Sequence, residues 1–488
     1  MKNKPLWYSL LTATALLAGV LAYQAFTATG WFKPRPNIIL ILTDDLDLTL
    51  MPYVPNINKL IGEAGATFTN YFISDPLCCP SRASILRGQY AHNTNILENA
   101  PGFVNFYRNT REEETLATWL NGAGYNTSLT GKYFNTYPLG AGKRYVPPGW
   151  TNWHAFLYEE YEKTFYYGYK MVENGEVVQY GDTPADYSTD VIKGQALRFI
   201  EQSIADGKPF FAYIAPIAPH GPSTPAERHT GLYTDLVFPS KPSFGEADLS
   251  DKPAAMRATL TPGDEFAQYD ADALFIRRAQ TMQAVDELVL ELVNLLEQHG
   301  QLENTYIFFT SDNGLHMGEH GLPSVKGYPY EEDIKVPMLV RGPGIPPNSV
   351  VEAITANIDI APTISALTGV RFADFIDGRS WLPLLKPQPE PSAPWRNAIL
   401  IESGYWDNEE TTLRYRGIRT ENYIYLEYAS GEIEFYDLRN DPYQLENIGP
   451  QLDPALQTAL HAWLEQMKLC QADGCRSAED AVPPEFVP

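Results

Sequence analysis

Two thiols, a proline, a hydroxyl and an arginine stand in a row at Cys78-Cys79-Pro80-Ser81-Arg82, directly ahead of the small and apolar run Ala83-Ser84-Ile85-Leu86. Pro80 suits an early helical position, where its missing N–H would go unpaired in any case. The first turn of such a helix offers free backbone N–H groups and a positive dipole end to a tetrahedral oxyanion, and Arg82 adds a forked, charge-assisted donor. The pattern reads as an anion site containing a reactive sulfur. Taken alone, the same two cysteines also fit a buried, inert thiol pair.

Far from this run, Asp44, Asp45, Asp312 and Asn313 provide hard oxygen donors. Three carboxylates brought together repel unless a cation sits among them. Such a set suits Ca²⁺, with Mg²⁺ second because it demands stricter octahedral geometry. An isolated Asp-Asp is commonly a turn or a helix cap, so the metal reading depends on the four residues meeting.

The elements that must bring them together are legible as apolar runs. Ile38-Ile39-Leu40-Ile41-Leu42 has the unbroken character of a parallel strand buried on both faces, and it ends in Thr43-Asp44-Asp45. Tyr125 to Leu129 runs into Thr130-Gly131-Lys132, Phe210 to Ile217 into Pro219-His220, and Thr305 to Phe309 into Ser311-Asp312-Asn313-Gly314. Each run places polar residues just beyond a strand's C-terminal end, the edge at which open α/β sheets bind ligands. Between them, Ile192, Ala196, Phe199 and Ile200 mark one helical face, and Val285, Leu288, Val289, Leu292, Leu295 and Leu296 another, stopped by Gly300.

The tyrosine-rich stretch 156–180 contains Glu173-Asn174-Gly175-Glu176, a hairpin turn signal. Its tyrosines fit either packing beneath the hairpin or a platform for sugar faces. Residues 221–265 read as a Pro-rich loop at the rim of the crevice, and 383–394 as a linker. Beyond it, strand-like pieces at 414–419, 423–428 and 432–436 precede a helix at 454–467, which fits a small antiparallel sheet with one helix.

A chain of 488 residues with 44% hydrophobic content can build one large domain with an appendage, or two domains. Its net charge of −24 excludes a phosphate-tracking nucleic-acid binder, and an anionic substrate must be drawn in by local cations. Residues 5–32 carry no charged side chain and follow Lys2 and Lys4. That is an export leader, either a cleaved signal peptide or a retained membrane anchor, placing the rest of the chain in the periplasm, outside the cell or on the outward membrane face. Cys470 and Cys475 are the only cysteines besides the pair, and in an oxidising compartment they predict a small-loop disulfide. Neither a Gly-x-Ser-x-Gly elbow nor a phosphate loop occurs in a suitable setting.

At Cys78-x-Pro80-Ser81-Arg82 the chain resembles the sulfatase family, in which the first cysteine is oxidised after translation to formylglycine. The aldehyde's hydrate supplies one hydroxyl to attack sulfur, and the other then expels sulfate as the aldehyde re-forms. The resemblance implies an alkaline-phosphatase-like α/β/α sandwich with a large mixed sheet, in three parts: leader 1–33, catalytic domain 34–390, and a C-terminal α+β subdomain and tail 391–488. It implies that Asp44, Asp45, Asp312, Asn313 and residue 78 hold a divalent ion, usually calcium. Arg82 and Lys132 then hold the hydrated aldehyde, Lys326 meets the transferring sulfate, and His220 protonates the departing alcohol. Where many sulfatases have a histidine two residues after the lysine matching Lys132, this chain has Phe134 and then Asn135. The base that regenerates the aldehyde is therefore open between His220, Asn135 acting through water, and another residue.

Together with Gly88 to Asn93, Gly131 to Asn135 and Asp333-Ile334-Lys335-Val336-Pro337, the motifs look like the glucosamine-6-sulfatase and heparan 6-O-endosulfatase branch. This implies a sulfated saccharide substrate, chosen by loops such as 98–110 and 221–265, and a maturation enzyme as partner. Rival readings are a phosphodiesterase or phosphonate monoester hydrolase of related fold, and an inactive protein that binds sulfated glycans.

Overall fold

The computed structural model describes residues 34–158, 165–259, 270–386, 395–404 and 414–483. The expected leader lies outside the described residues, as do most of the 383–394 linker and parts of the tyrosine-rich and 221–265 segments.

Ten strands form the main sheet: β1 (Asn37–Thr43), β2 (Ala66–Phe68), β3 (Asn126–Gly131), β4 (Asn152–Phe156), β5 (Lys170–Glu173), β6 (Glu176–Gln179), β7 (Phe210–Ala215), β8 (Thr305–Ser311), β9 (Met338–Arg341) and β10 (Ser349–Val351), in the order β10-β2-β9-β8-β1-β7-β3-β4-β5-β6. The central strands β8, β1, β7, β3 and β4 are mutually parallel. β9 pairs antiparallel with β8 on one side, and β5 and β6 run antiparallel beyond β4 on the other, so the sheet is mixed.

Alternation along the central strands feeds two separate cores. Ile38, Leu40, Leu42, Phe211, Tyr213 and Phe308 face a layer that includes α1 (Cys78–Arg87), while Ile39, Ile41, Phe210, Ala212, Ile214, Ile307 and Phe309 face α2 (Ser188–Ala205) and α3 (Ala271–Gln298). Because both faces are covered, β1 is unbroken apolar from Ile38 to Leu42, and burial of each such Leu or Ile contributes about 1.5–3 kcal/mol. The result is the three-layer sandwich expected. α3 starts far upstream of its apolar stripe and carries Arg278 into the buried face, at 0% exposure.

The Asn174-Gly175 hairpin forms as predicted between β5 and β6, both turn residues adopting positive φ (49° and 90°). Tyr166 and Tyr169 are buried, and Tyr169 stacks on Tyr180 with ring centroids 4.9 Å apart, so these rings serve packing rather than an open platform. The 98–110 segment is not a simple loop: Gly102–Arg108 is helical and anchors Phe103 and Phe106 in the core.

A second sheet is an antiparallel meander of β11 (Ala398–Ser403), β12 (Tyr415–Thr420), β13 (Tyr423–Tyr428) and β14 (Ile433–Asp437). β11 went unread in the sequence, and beyond the expected helix α4 (Pro454–Lys468) lies a short second one, α5 (Asp473–Asp480). Cys470 and Cys475 are joined as a disulfide, as their spacing predicted.

Candidate active site

Four strand ends deliver the site. The N–H of Asp312, just past β8, donates to Thr43 O of β1 (3.1 Å), that of Asp44 to Ala218 O (3.2 Å), and that of Lys132, just past β3, to Ala215 O at the end of β7 (2.8 Å). These bonds tie loops hundreds of residues apart into one crevice. Asp45 takes a left-handed backbone (φ 64°), a conformation Asp tolerates better than most residues, and its N–H donates to Asp312 Oδ1 (3.2 Å).

α1 begins at Cys78 itself, capped by no side chain of Leu77. The expectation of a helix end rich in free donors needs correction. Cys79 gives its N–H to Asn99 Oδ1 (2.9 Å), Ser81 gives its own to Leu77 O (3.0 Å), and Pro80 has none. Side-chain cations therefore carry most of the anion-binding capacity. Arg82 is fully buried, with Nε donating to Asp312 Oδ2 (2.8 Å) and Nη1 to Lys132 O (2.8 Å), while Nη2 has no hydrogen-bond partner among the described residues. Lys132 Nζ lies 2.6 Å from Asp44 Oδ2. Lys326 Nζ lies 2.8 Å from Cys78 Sγ and pairs closely with Asp45, which makes Lys326 the cation in contact with the residue 78 side chain.

The acids fit a hard cation. One ligand atom each from Asp44, Cys78 and Asp312 lie within 4.8 Å of one another, as do those from Asp44, Asp45 and His220. Asn313 donates through Nδ2 to Asp45 Oδ1 (2.7 Å), and its Oδ1 is buried without a hydrogen-bond partner among the described residues, an oxygen left free for a metal. Burial works against ionising Asp45, but Lys326 and His220 outweigh it and hold the carboxyl at about 2. Burial opposes ionisation of Asp44 as well, and there Lys132 leads the cations that bring it below the usual carboxylate range. Burial pushes the Cys78 thiol up to about 12 despite Lys132 and Lys326. An unmodified thiol here is therefore a poor nucleophile.

His220 Nδ1 donates to Gly221 O (2.7 Å), which leaves Nε2 facing Asp45 Oδ2 at 3.7 Å, and the side chain is 34% exposed at the mouth. Phe134, where a second histidine would have stood, packs on Phe106 with centroids 4.6 Å apart. Asn135 lies against the neighbouring thiol through its backbone, its N–H donating to Cys79 Sγ (3.2 Å).

Two supporting residues escaped the sequence reading. Tyr166 Oη donates to His220 O (2.7 Å), and Arg278 Nη2 donates to Asp45 O (2.7 Å) while pairing with Asp47. The only sequence signal was a charge on an otherwise apolar helix face. Arg278→Met leaves the nearly buried Asp47 without its cation, and we expect a loss of about 3–5 kcal/mol in denaturant unfolding. A loss under about 1 kcal/mol would show that the pair carries no such weight.

The sulfatase family profile matches residues 36–370, and the profile described as N-sulphoglucosamine sulphohydrolase, C-terminal, matches 318–470. The chain belongs to the sulfatase family. Among relatives of this sulfatase, human N-acetylglucosamine-6-sulfatase is 36% identical over 91% of this chain and 86% of its own. The extracellular sulfatase Sulf-1 homolog of Caenorhabditis elegans is 38% identical over 78% of this chain, a match that spans 54% of the worm protein's length. Among solved structures, BT4656 in complex with its substrate D-glucosamine-2-N,6-O-disulfate superposes with a TM-score of 0.76 and 26% identity, covering 93% of this sulfatase and all of that chain. Membership implies formylglycine-dependent catalysis assisted by a divalent metal.

Proposed function

We propose that this sulfatase releases sulfate from the 6-O position of a glucosamine-type sugar, with Cys78 converted to formylglycine and Ca²⁺ held by Asp44, Asp45, Asp312, Asn313 and residue 78. The observation that carries the reading is the meeting of those acids and Lys326 around one buried position at the head of α1. Similarity to N-acetylglucosamine-6-sulfatases and to a structure holding a 6-O-sulfated glucosamine supports the choice of sugar.

Held by those residues, a divalent ion would supply positive charge against the sulfate and would favour ionisation of the attacking hydroxyl. The chain's own side chains do the rest. Lys326, touching residue 78, is placed to bridge it to the incoming sulfate, and its charge offsets the one that builds on the ester. Arg82 and Lys132 brace Asp312 and Asp44, with Arg82 Nη2 lying 3.8 Å from Asp44 Oδ2. His220, fixed at Nδ1, directs Nε2 into the site from the solvent side, where a leaving alcohol departs and needs a proton.

Sulfate release from a panel of defined saccharides tests this. We expect 6-O-sulfated N-acetylglucosamine or glucosamine to be cleaved at least about 100-fold faster, in kcat/KM, than 2-O-, 3-O- or 4-O-sulfated sugars and than phosphonate esters. Preference for phosphonate or phosphate esters would favour the phosphonate hydrolase reading. Binding without turnover by protein whose Cys78 is converted would favour the inactive one. A host maturation enzyme and export through the N-terminal leader belong to the same proposal, and the Cys470–Cys475 disulfide supports an oxidising compartment. Fractionation that finds the active chain in the cytoplasm would reject export.

A further inference from the structure

The segment Asp333-Ile334-Lys335-Val336-Pro337 stands out in sequence, yet none of its side chains reaches the reacting position at residue 78. Its place in the fold is specific. Asp333 is completely buried and spends its three oxygens on three different partners: its backbone O accepts from Gly314 N–H (2.9 Å), Oδ1 meets His316 Nδ1 (2.8 Å), and Oδ2 accepts from Tyr328 N–H (2.9 Å). Gly314 and His316 belong to the loop that carries Asp312 and Asn313, while Tyr328 is two residues from Lys326. The next carbonyl, Ile334 O, accepts from Ile73 N–H (2.7 Å) on the chain leading into Cys78.

The approach is too close for a side chain at position 314. A Cβ on Gly314 would meet Glu332 O at 1.9 Å. From the opposite side, Tyr415 Oη of β12 donates to Gly327 O (3.2 Å), so the backbone beside Lys326 is held from two directions. We propose that Asp333 is a positioning residue that fixes the Lys326 arm against the Asp312-Asn313 loop, so that the cation and the acids share one geometry at residue 78. It acts through Lys326 rather than on substrate. The inference rests on the reading of Lys326 as a site cation.

The test is a double-mutant cycle on the full, matured chain, measuring release of sulfate from N-acetylglucosamine 6-sulfate. We expect Asp333→Ala to lower kcat/KM about 100-fold, the scale of a misplacement near 1 Å. Asp333→Asn keeps an acceptor for Tyr328 N–H and regains at least about tenfold of that loss. In the Lys326→Ala background, Asp333→Ala costs no more than about threefold further, because the group it positions is already gone. Multiplicative losses in the double variant, or Asp333→Ala at wild-type rate, would overturn the proposal while leaving the site reading intact. Lys326→Ala at wild-type rate would instead sink the site reading, and this inference with it. Should Asp333→Ala fail to fold, Asp333→Asn with and without Lys326→Ala closes the same cycle.

Discussion

Cys78→Ala removes sulfate release by at least about 10⁴-fold while thermal unfolding and circular dichroism stay close to those of the parent chain. The fold survives because residue 78 sits at the start of α1 and contributes little to the interdigitated core, unlike Ala83, Ile85 and Leu86. Activity does not survive, because residue 78 is the position that both touches Lys326 and sits at the centre of the acids. The thiol cannot substitute for its oxidised form. Burial holds it well above the ordinary thiol range, so it stays protonated at neutral pH. Protein made without the maturation enzyme should therefore be folded and silent, and activity should scale with the fraction of the 78–82 peptide that mass analysis finds converted. Full-rate turnover by a preparation whose Cys78 is wholly unconverted would falsify the assignment.

Exhaustive chelation is the second large effect. With the divalent ion withdrawn, Asp44, Asp45 and Asp312 keep Lys132, Lys326, Arg82 and His220 as counter-charges, enough to hold the fold, while the site loses the charge that works with Lys326 on the sulfate. We expect turnover to fall by at least about 10³-fold and to return on adding Ca²⁺, with Mg²⁺ restoring less because the donor set is not constrained to an octahedron. The same ion stabilises the native state by mass action, about 2.7 kcal/mol at a hundred times its Kd, visible as a rise in Tm. Unchanged activity after chelation would remove the metal from the mechanism. Equal or better rescue by Mg²⁺ would replace calcium.

Much of the site is legible in the sequence because its chemistry sits at the ends of strands whose pattern is unmistakable. Ile38 to Leu42 has the pattern of a strand buried on both faces, which it is, and the residues just after such a strand in an α/β sheet lie at its ligand edge. The cysteines at 470 and 475 are close in sequence, and together with an expected oxidising compartment that predicts their bond. Less visible are groups whose role depends on packing partners from elsewhere. Arg278 is one charge among many until α3 turns it beneath Asp45, and Asn99 is an ordinary loop residue until it takes the Cys79 N–H expected to face an anion. β11 does carry an apolar run, Ala398-Ile399-Leu400-Ile401, but its antiparallel pairing with β12 is set only by the fold.

By itself the sequence determined which residues could do the chemistry and that a parallel sheet had to carry them, since residue type and apolar periodicity are local properties. Only the tertiary structure decided which of those residues touch. That Lys326 reaches residue 78, and that Asp333 ties the late loops together, are consequences of strand order and close packing between segments far apart in the chain, and no local pattern encodes such distances.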